Sequence, residues 1–141
     1  MSISISIVNW ETYGADLSRL RVKVFVEEQD VPLELEVDDM DSDYKHAAAF
    51  DSGGALIGTG RLLPSGKIGR MAVLSDYRNQ GVGRKILDAL VEQAKTSKLK
   101  SIYLDSQLTA VNFYKKSGFV PQGEIFLDAG IEHITMTRNL Y

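Results

Sequence analysis

The hexapeptide Arg78-Asn79-Gln80-Gly81-Val82-Gly83 constrains this chain more than any other stretch. Before it lies the apolar run Ile68 to Leu74, which reads as a buried strand. After it comes Gly81 to Thr96, where Val82, Ile86, Leu87, Leu90, Val91 and Ala94 recur at helical spacing and Arg84, Lys85, Asp88 and Glu92 lie opposite. Strand, glycine turn and helix in that order make an anion site. The helix start exposes unpaired N–H groups and the positive end of the dipole, and glycine lets the backbone close on a phosphate with no Cβ in the way. Two glycines in a first turn cost up to about 1 kcal/mol each relative to alanine. The plainer reading, a pair that merely starts a helix, leaves that cost without a return. Arg78 and Arg84 add positive charge. Other nucleotide motifs fit worse: Ile86 stands where a dinucleotide fingerprint needs its third glycine, and Gly66-Lys67 is followed by Ile68 rather than Ser or Thr.

The remaining elements follow from periodicity and turn chemistry. Residues 3 to 9 alternate apolar and polar, as a strand with one buried face does, and Leu17, Leu20, Val24 and Phe25 place a helix over about 14 to 28. His46 to Phe50 and Ala55 to Leu63 are strands joined by Asp51-Ser52-Gly53-Gly54, and Pro64-Ser65-Gly66-Lys67 turns the chain into Ile68 to Leu74, giving three antiparallel strands. Ile102 to Asp105 is a short buried strand, and Thr109 to Ser117 a helix that Gly118 ends. Phe119 to Gln122 and Ile131 to Arg138 are the last strands, with a turn at Asp128-Ala129-Gly130. The order is β-α-βββ-α-β-α-ββ, an α/β chain forming a single domain over 1–141.

Composition narrows the function. A net charge of -3 excludes nucleic-acid binding by bulk electrostatics. With no cysteine there is no thiolate nucleophile or cysteine-ligated metal, and two histidines are too few for most metal clusters, so no metal is expected. No apolar run approaches the roughly 20 residues of a membrane span, and the start Met-Ser-Ile-Ser-Ile lacks the basic region of a signal peptide. A cytoplasmic protein without membrane or nucleic-acid partners is the expectation.

With Met71-Ala72-Val73 before the R-x-x-G-x-G signature at Arg78 to Gly83, and Ala110-Val111-Asn112-Phe113-Tyr114-Lys115-Lys116-Ser117-Gly118-Phe119 about thirty residues later, the sequence resembles the GNAT superfamily of acetyl-coenzyme A-dependent N-acetyltransferases. The segments Val24 to Gln29 and Asp128 to His133 resemble a small bacterial subgroup. The resemblance implies a mixed, mostly antiparallel sheet of about seven strands, splayed between strands 4 and 5, with helices on both faces. It implies acetyl-coenzyme A as cosubstrate, held by Met71, Ala72 and Val73 along the pantetheine arm. The turn Arg78, Asn79, Gln80, Gly81, Val82, Gly83 and Arg84 would hold the pyrophosphate, and Asn112 would also hold the arm. Tyr114 would be the catalytic group that protonates the departing thiolate, and an N–H of Ala72 or Val73 would polarise the thioester carbonyl. The partner is a small-molecule or peptide amine, and a homodimer is compatible with the family.

The general base stays open. The family often has a glutamate on strand 4, but Gly69-Arg70 precede Met71 here. Glu28, Asp38, His46 and His133 are candidates, and each by itself reads more readily as a surface or structural residue. The stretch Glu27 to Asp43 holds nine acidic residues in seventeen positions and reads as loop and short helix bordering the acceptor, favouring cationic amines. Arg61 and Arg70 would pair with that segment in a solvated salt bridge or bind an acidic acceptor. A non-catalytic acyl-coenzyme A-binding domain is the alternative, and a plain interaction domain would leave the glycine turn without a use.

Overall fold

A computed structural model describes residues 2–31 and 41–141. β1 (Ser4–Val8) leads into α1 (Trp10–Arg21), whose start is capped by the Asn9 side chain accepting from the Glu11 N–H at 2.7 Å. The expected helix over 14 to 28 thus begins earlier. It also changes character, because from Val22 to Glu28 the chain continues in wider π turns. After a short 3₁₀ turn at Asp41–Asp43 come β2 (Lys45–Phe50), β3 (Leu56–Leu62) and β4 (Ile68–Val73), then the 3₁₀ turn Ser75–Tyr77 and α2 (Val82–Thr96). β5 (Ser101–Gln107), the 3₁₀ turn Leu108–Ala110, α3 (Val111–Lys115), β6 (Val120–Asp128) and β7 (Ile131–Asn139) complete the chain.

The strands form two antiparallel sheets, a four-stranded one in the order β1-β2-β3-β4 and a three-stranded one in the order β5-β7-β6. The two meet at one parallel bridge, Lys67 with Tyr103, where the Tyr103 N–H donates to the Gly66 carbonyl at 3.0 Å. Beyond that point β4 and β5 diverge, which is the expected splay.

Two helices close opposite faces of the larger sheet. On β4, Met71 and Val73 pack toward the cluster built on Ile86, Leu87 and Leu90 of α2, whereas Ala72 joins Leu20 and Val24 of the α1 side. That alternation is the period of two along a strand. α2 comes unusually near β3 because two same-face positions there are glycine: a Cβ on Gly58 or Gly60 would lie 2.9 Å from a methyl of Ile86.

β6 departs most from expectation. It runs to Asp128 instead of ending near Gln122, because Gly123, at φ +83°, sits in an irregularity that lets pairing with β7 resume at Phe126. Every residue of β6 is exposed, so no apolar alternation marks it. Ala129 and Gly130, both at positive φ, turn the chain into β7 as a primed hairpin turn requires.

Gly60→Val should destabilise the fold by about 1–3 kcal/mol through overpacking. Its Cβ would also lie 3.0 Å from Leu90 and 3.1 Å from Met71. A chemical-denaturation midpoint equal to that of the wild type would refute the close approach of α2 to β3.

Candidate active site

Between Ala72 and Gly69, β4 sets two residues, Arg70 and Met71, against the single Gly60 of β3. This is a β-bulge, and Arg70 adopts φ +49° to make it. A non-glycine residue in that region carries strain of order 1–3 kcal/mol, which the surrounding structure must hold. The bulge bends β4 away from β5 and opens a cleft of about 350 Å³. Gly69, Arg70 and Met71 line it from β4, Leu104 and Asp105 from β5, Tyr114 from α3 and His133 from β7.

The backbone of β4 offers hydrogen bonds to that gap. The Leu74 N–H donates to Ile57 of β3 at 2.9 Å, so alternation turns the main-chain groups of Ala72 toward β3 and those of Val73 toward the gap.

At the top of the cleft the chain rounds into α2. Asn79 and Gly81 hold positive φ, and no side chain caps the helix start at Gly81, leaving its first N–H groups without a capping partner. A Cβ on Gly83 would meet only ordinary contact with Phe113 at 3.6 Å. The protein's own packing therefore does not require glycine at 83, and close approach of a ligand would. Gln80 donates to the Asp76 carbonyl, and Arg84 pairs with Asp88 at 3.3 Å. Arg78 donates through Nε to the Val73 carbonyl at 2.9 Å and through Nη2 to Glu28 at 2.6 Å. Glu28, one candidate base, is thereby committed to a guanidinium.

Tyr114 points its hydroxyl at the Met71 sulfur, 3.9 Å away, and its ring meets Phe113 and Phe119 edge-on. Burial pushes the phenol up from its ordinary value, so it stays a donor at neutral pH. Asn112, two residues earlier on α3, is exposed.

The sequence matches the description Acetyltransferase (GNAT) domain over residues 14–140. The chain belongs to the GNAT acetyltransferase family. It is 38% identical to the uncharacterized N-acetyltransferase YjcF of Bacillus subtilis over 128 residues, 88% of this chain and 91% of that one. An acyl-CoA N-acyltransferase from Pseudomonas aeruginosa superposes with a TM-score of 0.87 at 31% identity, covering 97% of this chain and 99% of the other. Escherichia coli ElaA superposes with a TM-score of 0.87 at 28% identity, covering 98% and 100%. This GNAT domain therefore has the fold and family of acyl-coenzyme A-dependent acyltransferases. Among the described residues no helix is long and apolar enough to cross a membrane.

The feature of this GNAT domain that sequence reasoning missed is Asp41. Its carboxylate takes both Nη atoms of Arg21, at 3.1 and 3.0 Å, and Nη1 of Arg61 at 2.8 Å, and all three side chains are buried. The pairing of Arg61 with the acidic segment holds, but as a buried ion triad and not the expected solvated bridge. Burial pushes the Asp41 carboxyl up, and the two guanidinium groups outweigh it to hold it below its ordinary value. His46, another candidate base, lies in the same core: its Nε2 bonds the Asp41 carbonyl at 2.8 Å and its ring packs on Trp10. Asp38, like Glu34 and Glu36, falls outside the described residues. The signal for Asp41 was present as one acid among nine, with nothing local to single it out.

Asp41→Asn should cost about 3–5 kcal/mol, because it leaves two guanidinium groups buried without their anion. Burial holds His46 below its ordinary value of 6.5, so below that pH the unfolded chain binds a proton the folded chain resists. Stability should fall as pH drops from 6.5. Asp41 adds a second loss at lower pH, as its depressed carboxyl takes a proton. Calorimetric melting between pH 8 and 2 measures both. A melting temperature that rises on acidification would contradict this placement of His46.

Proposed function

We propose that this GNAT domain transfers an acetyl group from acetyl-coenzyme A to a primary amine by direct attack, with no covalent enzyme intermediate. The observation that carries the reading is the half-buried Tyr114 hydroxyl, a proton donor whose sole partner among the described residues is a thioether, in the cleft that the β4 bulge opens. When bound, acetyl-coenzyme A supplies an activated thioester.

The chain's own groups would do the rest. Unpaired N–H groups at the start of α2, together with glycine at 81 and 83, suit the pyrophosphate. Arg78, Asn79, Gln80, Val82 and Arg84 would complete that turn, and the Arg78 side chain would brace the end of β4 through Val73. Met71 and Val73 face the gap with main-chain groups that can pair with the amides of the pantetheine arm as an added strand would. Of the two N–H groups considered for the carbonyl oxygen, that of Val73 faces the gap and that of Ala72 faces β3. Asn112 would hold the arm near the start of α3. Tyr114 would give its proton to the sulfur as the tetrahedral intermediate collapses.

The acceptor is an amine on a small molecule or peptide. Of the acidic segment's described members, Asp41 and Glu28 are held by arginines, so selection of a cationic acceptor would fall to the others.

Tyr114→Phe should keep the fold and bind acetyl-coenzyme A while kcat falls by roughly 10²-fold, the scale of a lost general acid. Gly83→Asp should do the reverse, weakening coenzyme A binding by placing a side chain and a negative charge where the phosphates belong. Calorimetry with coenzyme A and thiol release with a panel of amines read the two effects separately. Full turnover by Tyr114→Phe, or unchanged affinity in folded Gly83→Asp, would remove the corresponding assignment.

A further inference from the structure

We infer that His133 is the general base that takes the proton from the attacking amine. The inference rests on the acetyl-transfer reading above and adds to it the residue that activates the acceptor.

Alternation along β7 places His133 and Thr135 on the face away from the buried Met136, and on the partner strand Asp105 and Gln107 share that open face. His133 pairs in register with Gln107 and is only 9% exposed, and it lines the cleft that holds Met71 and Tyr114. Its ring stacks on Phe126 of β6 with centroids 5.9 Å apart, which fixes its plane.

The decisive contact is at Nδ1, which lies 2.7 Å from the Ile131 carbonyl oxygen. A carbonyl only accepts, so Nδ1 carries the proton and the neutral ring has its lone pair on Nε2. Among the described residues no protein group bonds Nε2. A histidine held by a backbone carbonyl at one nitrogen and bare at the other, in the wall of the reaction cleft, is an oriented base.

The other candidates within the described residues, His46 and Glu28, each lack one of these properties. His46 is sealed in the core and bonds the Asp41 backbone, and Glu28 is paired with Arg78. Among the described residues, the charged groups lining the cleft are Asp105 on β5, Lys67 before β4, Arg70 on β4, Arg61 on β3 and Asp128 at the end of β6. Lys67 pairs with Asp105 at 3.3 Å and Arg61 with Asp41. Glu132, on the same strand as His133, is exposed on its opposite face.

The step balances without another reactant. As the amine nitrogen bonds the acetyl carbon, its proton passes to Nε2. As the carbon–sulfur bond breaks, the sulfur takes the Tyr114 proton. The imidazolium then returns one proton, through water, to the tyrosine oxygen, leaving an amide and a thiol.

Two measurements test this. With only two histidines in the chain, ¹⁵N ring shifts assigned with the His133→Asn variant give the tautomer in protein saturated with coenzyme A. Nδ1–H with bare Nε2 at pH 8 is expected, and a protonated Nε2 in the neutral ring overturns the inference. In thiol-release assays with spermidine, glucosamine, kanamycin and a lysine peptide, His133→Asn keeps a donor for Ile131 but has no base. Its kcat/KM should fall by about 10²–10⁴-fold, its acid limb in the pH profile should vanish, and its coenzyme A affinity should stay that of the wild type. His133→Gln serves if the Asn variant does not fold. Wild-type kcat/KM with the acid limb intact, or a loss confined to coenzyme A affinity, overturns the base. Wild-type protein inactive on all four amines would count against acetyl transfer to these amines, while the ring shifts still decide on His133.

Discussion

β4 carries one residue more than β3 across the stretch from Gly69 to Ala72, and the extra residue is accommodated by Arg70 in the left-handed region. A strand distorted in this way cannot keep in step with a second neighbour, so its pairing with β5 ends at a single bridge. The divergence leaves backbone donors and acceptors on that side of β4 with no neighbouring strand to pair with, which ordinarily carries a penalty. Here they face a cleft where an amide-bearing ligand can meet them. On the proposed function the bulge would convert an edge liability into a binding surface, and Tyr114 and His133 line the same cleft from elements far apart in sequence.

Holding that strain needs a firm frame on both sides. On one face α2 presses onto Gly58 and Gly60 and fixes β3 directly opposite the bulge. On the other, the Arg21–Asp41–Arg61 triad ties the end of α1 to β3 through the 3₁₀ turn that begins at Asp41. Arg61 follows Gly60 on β3 and lines the cleft, so the same guanidinium that neutralises Asp41 also shapes the cleft wall. A buried ion triad stabilises little compared with an apolar substitute and is costly to break. Its use here fits registration: it gives the 3₁₀ turn at Asp41 one place to dock.

The parts legible in the sequence were those written in local chemistry. The glycine pair at 81 and 83, the α2 stripe, the hairpin at Asp51 to Gly54 and the stop at Gly118 each carry their physical reason within a few residues. The parts that escaped depend on partners distant in the chain. Arg70 reads as an ordinary strand residue until Gly60 is seen opposite it, and Gly58 and Gly60 read as weak strand positions until Ile86 is seen above them. Asp41 gains its role only from Arg21 and Arg61, each twenty residues away. The far half of β6 is not legible because an exposed edge strand has no buried face to impose a pattern. His133 was visible as a candidate, but its tautomer and orientation come from Ile131 and Phe126 in the folded hairpin.

The proposed function requires one continuous surface, the gap side of β4 together with the first turn of α2, to receive the cofactor. A ¹H–¹⁵N correlation titration with coenzyme A tests it most directly. The backbone amides of Met71, Val73, Gly81, Val82 and Gly83 should shift together with a single affinity, while those of β1 and β6 stay in place. Saturating coenzyme A that left the Val73 and Gly83 amides unmoved, or shifted only residues remote from the cleft, would contradict it.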